Sequence, residues 1–328
     1  MITFHAPGER GIDCTDLKSC HPLVRKAVWI DLYEPTEQEE LIIEAAFCVD
    51  VPTRREMGEI EVSSRLYKVG DDLFMTAIIL TKADTKEPGS TAVTFILTAN
   101  CLITVRYADP LPFVTFRAQV DRGQFESGQR IFEGLLDTIV DRLADILENI
   151  GANLDAVSRD IFRAREDIKK GSGAKQAAHS DLGEVLRNLG RSSDLGSRAR
   201  ESLVSLSRLL SFFVQSQKAP DPELAGHFHL LTRDLESLSD HTTFLSTKLN
   251  FLLDATLGLI NIEQNAIIKI FTIAAVFFLP PTVVGTIYGM NFDRMPELKW
   301  AFGYPFAIVL MILSALAPYL YFKRKGWF

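Results

Sequence analysis

Two uncharged apolar runs near the C-terminal end, joined by a very short connection, constrain this chain more than any other feature. Residues 270–292 and 300–322 contain no Asp, Glu, Lys or Arg, and each run is 23 residues long. As α-helix each would measure about 34 Å at ~1.5 Å per residue, which matches a hydrocarbon core of roughly 30 Å with slight tilt. The connection, residues 293–299, carries Asp293, Arg294, Glu297 and Lys299. Seven residues are too few for a domain. The sequence therefore predicts two antiparallel spans joined on one side of a bilayer.

The net charge of -7 and the hydrophobic share of 47% are ordinary for a soluble protein, because residues 1–269 dilute the apolar hairpin. The start, Met1-Ile2-Thr3-Phe4-His5, lacks a basic segment followed by a long apolar one, so no signal peptide is expected. The large N-terminal part is then expected in the cytoplasm. Lys323, Arg324 and Lys325 follow the second run directly and place that end, a basic tail, on the cytoplasmic side under the positive-inside rule. Both termini are expected inside and residues 293–299 outside, in the periplasm. Cys14, Cys20, Cys48 and Cys101 have no metal-ligand spacing, and a reducing compartment makes all four free thiols.

Residues 1–110 read as a cytoplasmic α/β domain. Val28-Trp29-Ile30-Asp31-Leu32 is a short strand, after which Thr36 caps a helix and Glu39 supplies the reciprocal capping-box contact. Further strands are expected over 64–67, 73–80, 91–97 and 102–106, with turns at Gly70-Asp71-Asp72 and Ala99-Asn100. No Gly-rich phosphate signature and no zinc-type histidine spacing is present. No catalytic constellation accompanies the apolar runs, so the chain does not read as an enzyme, and no nucleic-acid partner is expected.

Residues 111–220 read as long antiparallel helices. Ile131, Leu135, Ile139, Leu143, Ile146 and Ile150 recur at steps of three and four, one buried face of a helix running to Lys170. Gly171-Ser172-Gly173 breaks it, and a second helix runs over 174–217 until Lys218-Ala219-Pro220. Asp221-Pro222-Glu223 then opens a third with an N-cap, a proline at the first helical position and an acid in the first turn. No proline follows before Pro280, so residues 221–292 are expected as one stalk helix that continues into the first span. Sixty-seven helical residues from Pro222 would extend about 100 Å.

Along the last half of that helix one stripe follows alternating steps of four and three: Asp254, Gly258, Asn261, Asn265, Ile268, Thr272, Ala275, Leu279, Thr282, Thr286, Gly289. A 3.5-residue period calls for several copies of the helix supercoiled about one axis. Ordinary seams use Leu, Ile and Val, whereas this one is mostly small or polar. Such a stripe lines a water-filled passage, or it lets helices pack closely while Thr hydroxyls satisfy backbone carbonyls. Its continuation through Asp254, Asn261 and Asn265 favours the passage, with Ile268 and Leu279 as apolar constrictions. Pro280 and Pro281 remove two amide donors and free the carbonyls of Val276 and Phe277.

The segment Tyr288-Gly289-Met290-Asn291-Phe292, followed by Met295-Pro296-Glu297-Leu298-Lys299-Trp300, then Gly303-Tyr304-Pro305 and Tyr321-Phe322-Lys323-Arg324-Lys325-Gly326-Trp327, resembles the CorA family of magnesium transporters. The resemblance is strong over residues 250–328 and lies more in layout than in residues before that. It implies an α+β membrane protein assembled as a funnel-shaped homopentamer in a bacterial inner membrane, with the first spans lining a pore and the second spans outside them. It further implies that Gly289, Met290 and Asn291 form the selectivity filter, where a ring of Asn291 amides meets the hydrated ion. Amide oxygens bonded to hydration waters suit Mg²⁺, which sheds water reluctantly. Glu297 either concentrates cations at the mouth or forms a surface pair with Arg294 and Lys299. Deeper positions implied are Thr282 as a second polar ring, Ile268, Phe271 and Leu279 as the hydrophobic gate, and Asn265 and Asp254 toward the cytoplasm. Phe271 lies one position off the stripe.

The resemblance implies influx of Mg²⁺, with Co²⁺ and Ni²⁺ as further ions, closed by intracellular Mg²⁺ acting as regulator. A divalent cation gains about 4.6 kcal/mol per 100 mV of inside-negative potential, so no ATP site is needed. Asp234, Glu236 and Asp240 are the candidate sensor carboxylates, although their spacing to Asp254 departs from the family pattern. Two alternatives remain: a zinc or other transition-metal transporter of the same architecture, and a non-conducting, membrane-anchored coiled-coil scaffold.

Overall fold

The computed structural model describes residues 1–8, 11–14, 26–123, 125–169, 175–217, 221–290, 300 and 302–324. These fall into two compact units, Met1–Asp254 and Ala255–Phe328.

The first unit is built on a sheet of β1 (Ile2–His5), β2 (Ile12–Cys14), β3 (Trp29–Tyr33), β4 (Leu66–Val69), β5 (Asp72–Thr81), β6 (Gly89–Leu97) and β7 (Leu102–Arg106). Its order is β2-β1-β3-β7-β6-β5-β4, and only the β3–β7 pair is parallel. Those two central strands are buried almost throughout, as a strand covered on both faces must be. Helices α1 (Glu37–Phe47), α2 (Arg54–Met57) and α3 (Val62–Arg65) lie between β3 and β4. Thr36 accepts from the Glu39 amide at 3.4 Å while Glu39 Oε2 accepts from the Thr36 amide at 2.8 Å, the capping box read from the sequence. One face of the sheet buries Ile2, Phe4, Ile30, Leu32, Ile103 and Val105 in a core shared with Ile43 of α1 and Met57 of α2.

Two expectations change here. Residues 64 and 65 end α3 rather than starting a strand: the Ser64 amide donates to the Glu61 carbonyl at 3.2 Å, which closes a helical turn before β4 begins. Gly70-Asp71 then forms the β4–β5 turn, with Gly70 at φ 64°, a conformation that glycine takes without strain. Cys14 is disulfide-bonded, whereas Cys48 and Cys101 are free as expected, and Cys20 lies outside the described residues. Metal-ligand spacing is silent on a disulfide, which needs only two Cα atoms within about 7 Å.

The opposite face of the sheet is covered by α4 (Leu111–Val120), α5 (Gly128–Lys169) and α6 (Lys175–Ser216). Ile131, Leu135, Ile139, Leu143, Ile146 and Ile150 of α5 are all buried, so their spacing located the packed face. The start of α5 sits so close to the β6–β7 turn that a Cβ on Gly128 would lie 2.5 Å from the Leu102 amide nitrogen. Phe132 meets Phe213 at 5.1 Å between ring centroids, while Leu147 shares a cavity with Ser193. Rising positions on α5 meeting falling ones on α6 make the pair antiparallel. The expected break at 171–173 lies outside the described residues, as does the expected stop at 218–220.

Helix α7 (Pro222–Tyr288) begins where the sequence placed it, with Asp221 Oδ1 accepting from the Glu223 amide at 3.1 Å. Arg130 pairs with Glu223 at 2.8 Å and Lys248 with Asp155 at 2.6 Å. Both pairs have a sequence offset of 93 residues. A constant offset requires α5 and the start of α7 to run parallel. The second unit holds the remainder of α7 and α8 (Gly303–Arg324).

Candidate functional site

Ten of the eleven stripe positions lie on α7 and the last, Gly289, directly follows it; all eleven are exposed in the chain. Asp254 belongs to the first unit and the other ten to the second. A different side of α7 packs on α8. Val276, Pro280, Val284, Gly285 and Tyr288 are partly covered, and on α8 Gly303 and Ala307 are buried. A Cβ on Gly285 would stand 3.8 Å from Met311 Cε, an ordinary van der Waals contact, so α7 meets α8 on this side.

Within the stripe, the bulky members stand out into open space: Ile268 is 61% exposed, Leu279 67%, and Phe271 beside the stripe 71%. Aliphatic and aromatic side chains this exposed need either lipid or further copies of the helix around them. Asn261 and Asn265 present amides on the same side. Thr272, Thr282 and Thr286 each donate their hydroxyl proton one turn back along the helix, to the carbonyls of Ile268 at 2.8 Å, Phe278 at 2.7 Å and Thr282 at 2.8 Å. The backbone-satisfying role that the sequence allowed for these threonines is therefore present.

Two prolines stand inside α7. Their missing donors leave the Val276 and Phe277 carbonyls without the usual i+4 amide, and the Thr282 hydroxyl reaches the next carbonyl, Phe278. The helix closes on Gly289, whose amide donates to Gly285 at 3.0 Å and to Thr286 at 3.2 Å, and the Met290 amide donates to Ile287 at 3.2 Å. Backbone is tight here, since a Cβ on Gly289 would lie 3.2 Å from the Gly285 carbonyl oxygen. Asn291, Glu297 and Lys325 lie outside the described residues. Lys323 and Arg324 occupy the last turn of α8, with the Lys323 ammonium 5.9 Å from the Tyr319 ring.

The three candidate sensor acids do not converge. Asp234 lines a cavity of about 500 Å³ with Arg130, Glu133, Asp137 and His227, whereas Glu236 and Asp240 are exposed and line no part of it. In that cavity His227 Nδ1 lies 3.2 Å from Glu133 Oε1. Burial, then the nearby Asp141 and Glu133 charges, push the Asp137 carboxyl above the usual carboxylate range. Sequence reasoning missed Glu133, Asp137 and His227; the four-residue step between Glu133, Asp137 and Asp141 on α5 was the available signal. Among the described residues, no three His, Cys, Asp or Glu side chains gather closely enough to hold a metal ion.

Among the described residues two helices, both toward the end of the chain, have the length and apolarity to cross a membrane, the pattern of the two-span class of integral membrane proteins. Residues 25–324 match the family described as CorA-like Mg²⁺ transporter protein, and the chain belongs to that family. It is similar to the magnesium transport protein CorA of Escherichia coli (strain K12), 39% identical over 315 residues covering 95% of each chain. The magnesium transport protein CorA of Salmonella typhimurium is 39% identical over 304 residues, 92% of each chain. The complete structure of the CorA magnesium transporter from Methanocaldococcus jannaschii superposes with a TM-score of 0.73 and 19% identity, covering 100% of this chain and 99% of that one. At that identity the likeness concerns the fold.

Proposed function

We propose that this chain is the protomer of a homopentameric channel that admits Mg²⁺, with Co²⁺ and Ni²⁺ as further ions, across a bacterial inner membrane. The observation that carries this reading is the family's own signature: in the sequence Gly289-Met290-Asn291 stands at the end of the first of two uncharged apolar runs, in a chain 39% identical to proteins named for magnesium transport. Five copies of α7 surround the axis, reaching about 100 Å at ~1.5 Å per residue, with α8 on the outside and both termini in the cytoplasm. Asn291 amides with the Gly289 backbone receive the hydrated ion, assisted by Glu297. Thr286 and Thr282 follow, then the constriction of Leu279, Phe271 and Ile268 with Thr272 inside it, and Asn265, Asn261 and Asp254 lead out. The membrane potential drives entry, and intracellular Mg²⁺ acting on carboxylates that include Asp234, Glu236 and Asp240 closes the path.

The exposure of the polar stripe and of the gate residues supports this arrangement, because identical copies of α7 would cover them. The test is Asn291→Ala in purified protein reconstituted into liposomes, with Mg²⁺ influx as readout. Loss of most of the flux is expected; unimpaired uptake would remove Asn291 from selectivity.

A further inference from the structure

Away from α7, the first unit carries a cavity with an excess of positive charge among the described residues. Strand β4 pairs with β5 only as far as Leu66↔Met75, so β5 continues past its neighbour along Thr76–Thr81. Helix α6 closes part of that open edge, and the Ile78 amide donates to Ser205 Oγ at 2.9 Å. The space left between α3, β5 and α6 is a cavity of about 420 Å³. Arg200, Val204 and Arg208 line it from α6 at steps of four, one face of a helix. Arg65 faces them from the end of α3, and Ile60, 88% exposed, stands at the rim.

Three guanidiniums and one carboxylate, Glu201, line this space, so two positive charges are unmatched. Glu201 also accepts from the Ser90 hydroxyl at 3.3 Å. Arg130, Arg142 and Arg198 each hold a carboxylate, whereas Arg200 and Arg208 have no hydrogen-bonding or ionic partner among the described residues. A guanidinium fork matches phosphate oxygens two at a time, and two excess positive charges call for a doubly charged anion. A phosphate monoester carries about -1.5 to -2 at neutral pH, while a carboxylate carries only one charge. Ile60, Leu66 and Val204 supply an apolar wall beside the charged one.

We propose that this cavity binds a small phosphate monoester of nucleotide size, its phosphate held by Arg200 and Arg208 with Arg65 opposite and its organic part against Ile60 and Val204. The experiment is calorimetric titration of the purified full-length protein in Mg²⁺-free buffer at physiological salt, with AMP, adenosine and inorganic phosphate as probes. AMP binds saturably and adenosine does not. Arg200→Ala and Arg208→Ala each weaken AMP about tenfold or more, the size of one charge-assisted hydrogen bond. Arg191→Ala, on the same helix outside the cavity, leaves binding unchanged. Because these side chains are exposed, the variants keep the fold, which a matching circular dichroism spectrum checks. Binding that survives the Arg200→Ala/Arg208→Ala double change, inorganic phosphate binding as tightly as AMP, or no binding because a neighbouring copy covers the cavity would each overturn the proposal.

Discussion

Asp31 of β3 and Arg106 of β7 meet diagonally across the two central strands, each only 1% exposed. Arg106 Nε reaches Asp31 Oδ1 at 3.0 Å and Nη2 reaches Oδ2 at 2.9 Å, with the Thr104 hydroxyl adding a bond to Oδ1 at 2.8 Å. Trp29 Nε1 then donates to Thr104 at 3.0 Å, and the Arg106 guanidinium lies over the Tyr33 and Phe113 rings. Removing Asp31 leaves the buried Arg106 guanidinium with only Asp109, at 2.6 Å and partly exposed, so Asp31→Ala should cost about 3 kcal/mol, the low end for breaking a buried pair, read as a lowered unfolding midpoint of the full-length protein. None of this was legible in the sequence: Asp31 and Arg106 read only as members of two strands, and their separation of 75 positions hides the pairing. His5 gives a pH prediction. It is fully buried against Trp29, and its Nδ1 is 3.8 Å from Asp121, too far for a hydrogen bond. Burial is the leading cause that lowers its pKa below the ordinary 6.5, against the opposing charges of Asp31, Asp121 and Asp13. The unfolded chain then takes up the proton first. The stabilisation is complete above about 6.5 and is lost as pH falls toward the depressed folded value. His5→Phe should flatten that part of a stability–pH curve.

At the scale of elements, the long helices and the inner strands were the legible part. A 3.6-residue recurrence of apolar residues located the buried face of α5, and the Thr36/Glu39 and Asp221/Pro222 signals located the starts of α1 and α7. The short edge elements were not: β1 and β2 have four and three residues, too few for alternation to register, and they are fixed by pairing with β3 and with each other. The stripe on α7 yields the prediction that separates a conduit from a scaffold. Thr282→Leu and Thr286→Leu add bulk where identical helices would face one another, so the conduit reading expects most Mg²⁺ influx in liposomes to disappear. Unaltered flux in both variants would mean that this face of α7 does not line the path. At the signature, the sequence carried more than the structure adds, since Asn291 lies beyond the last described residue of the first span.

For the whole molecule, subunit number is the expectation least accessible to periodicity, because a 3.5-residue repeat fits any left-handed bundle. Purified protein weighed in detergent should give five times the 36.7 kDa chain, with and without Mg²⁺; any other multiple ends the pentamer. Hexaammine cobalt, whose fixed shell imitates hydrated Mg²⁺, should compete with Mg²⁺ influx, and indifference to it would favour a transporter for bare transition metals. The threonine hydroxyls have a consequence at this scale. Because Thr272, Thr282 and Thr286 have already committed their protons to the backbone, they can offer an incoming particle only lone pairs. Water around a cation turns its hydrogens outward, and water around an anion turns its oxygens outward. In the proposed assembly, rings of such hydroxyls would greet the first kind of shell and give the second nothing to hold, so the sign of the cargo would be screened by neutral side chains before any carboxylate is reached.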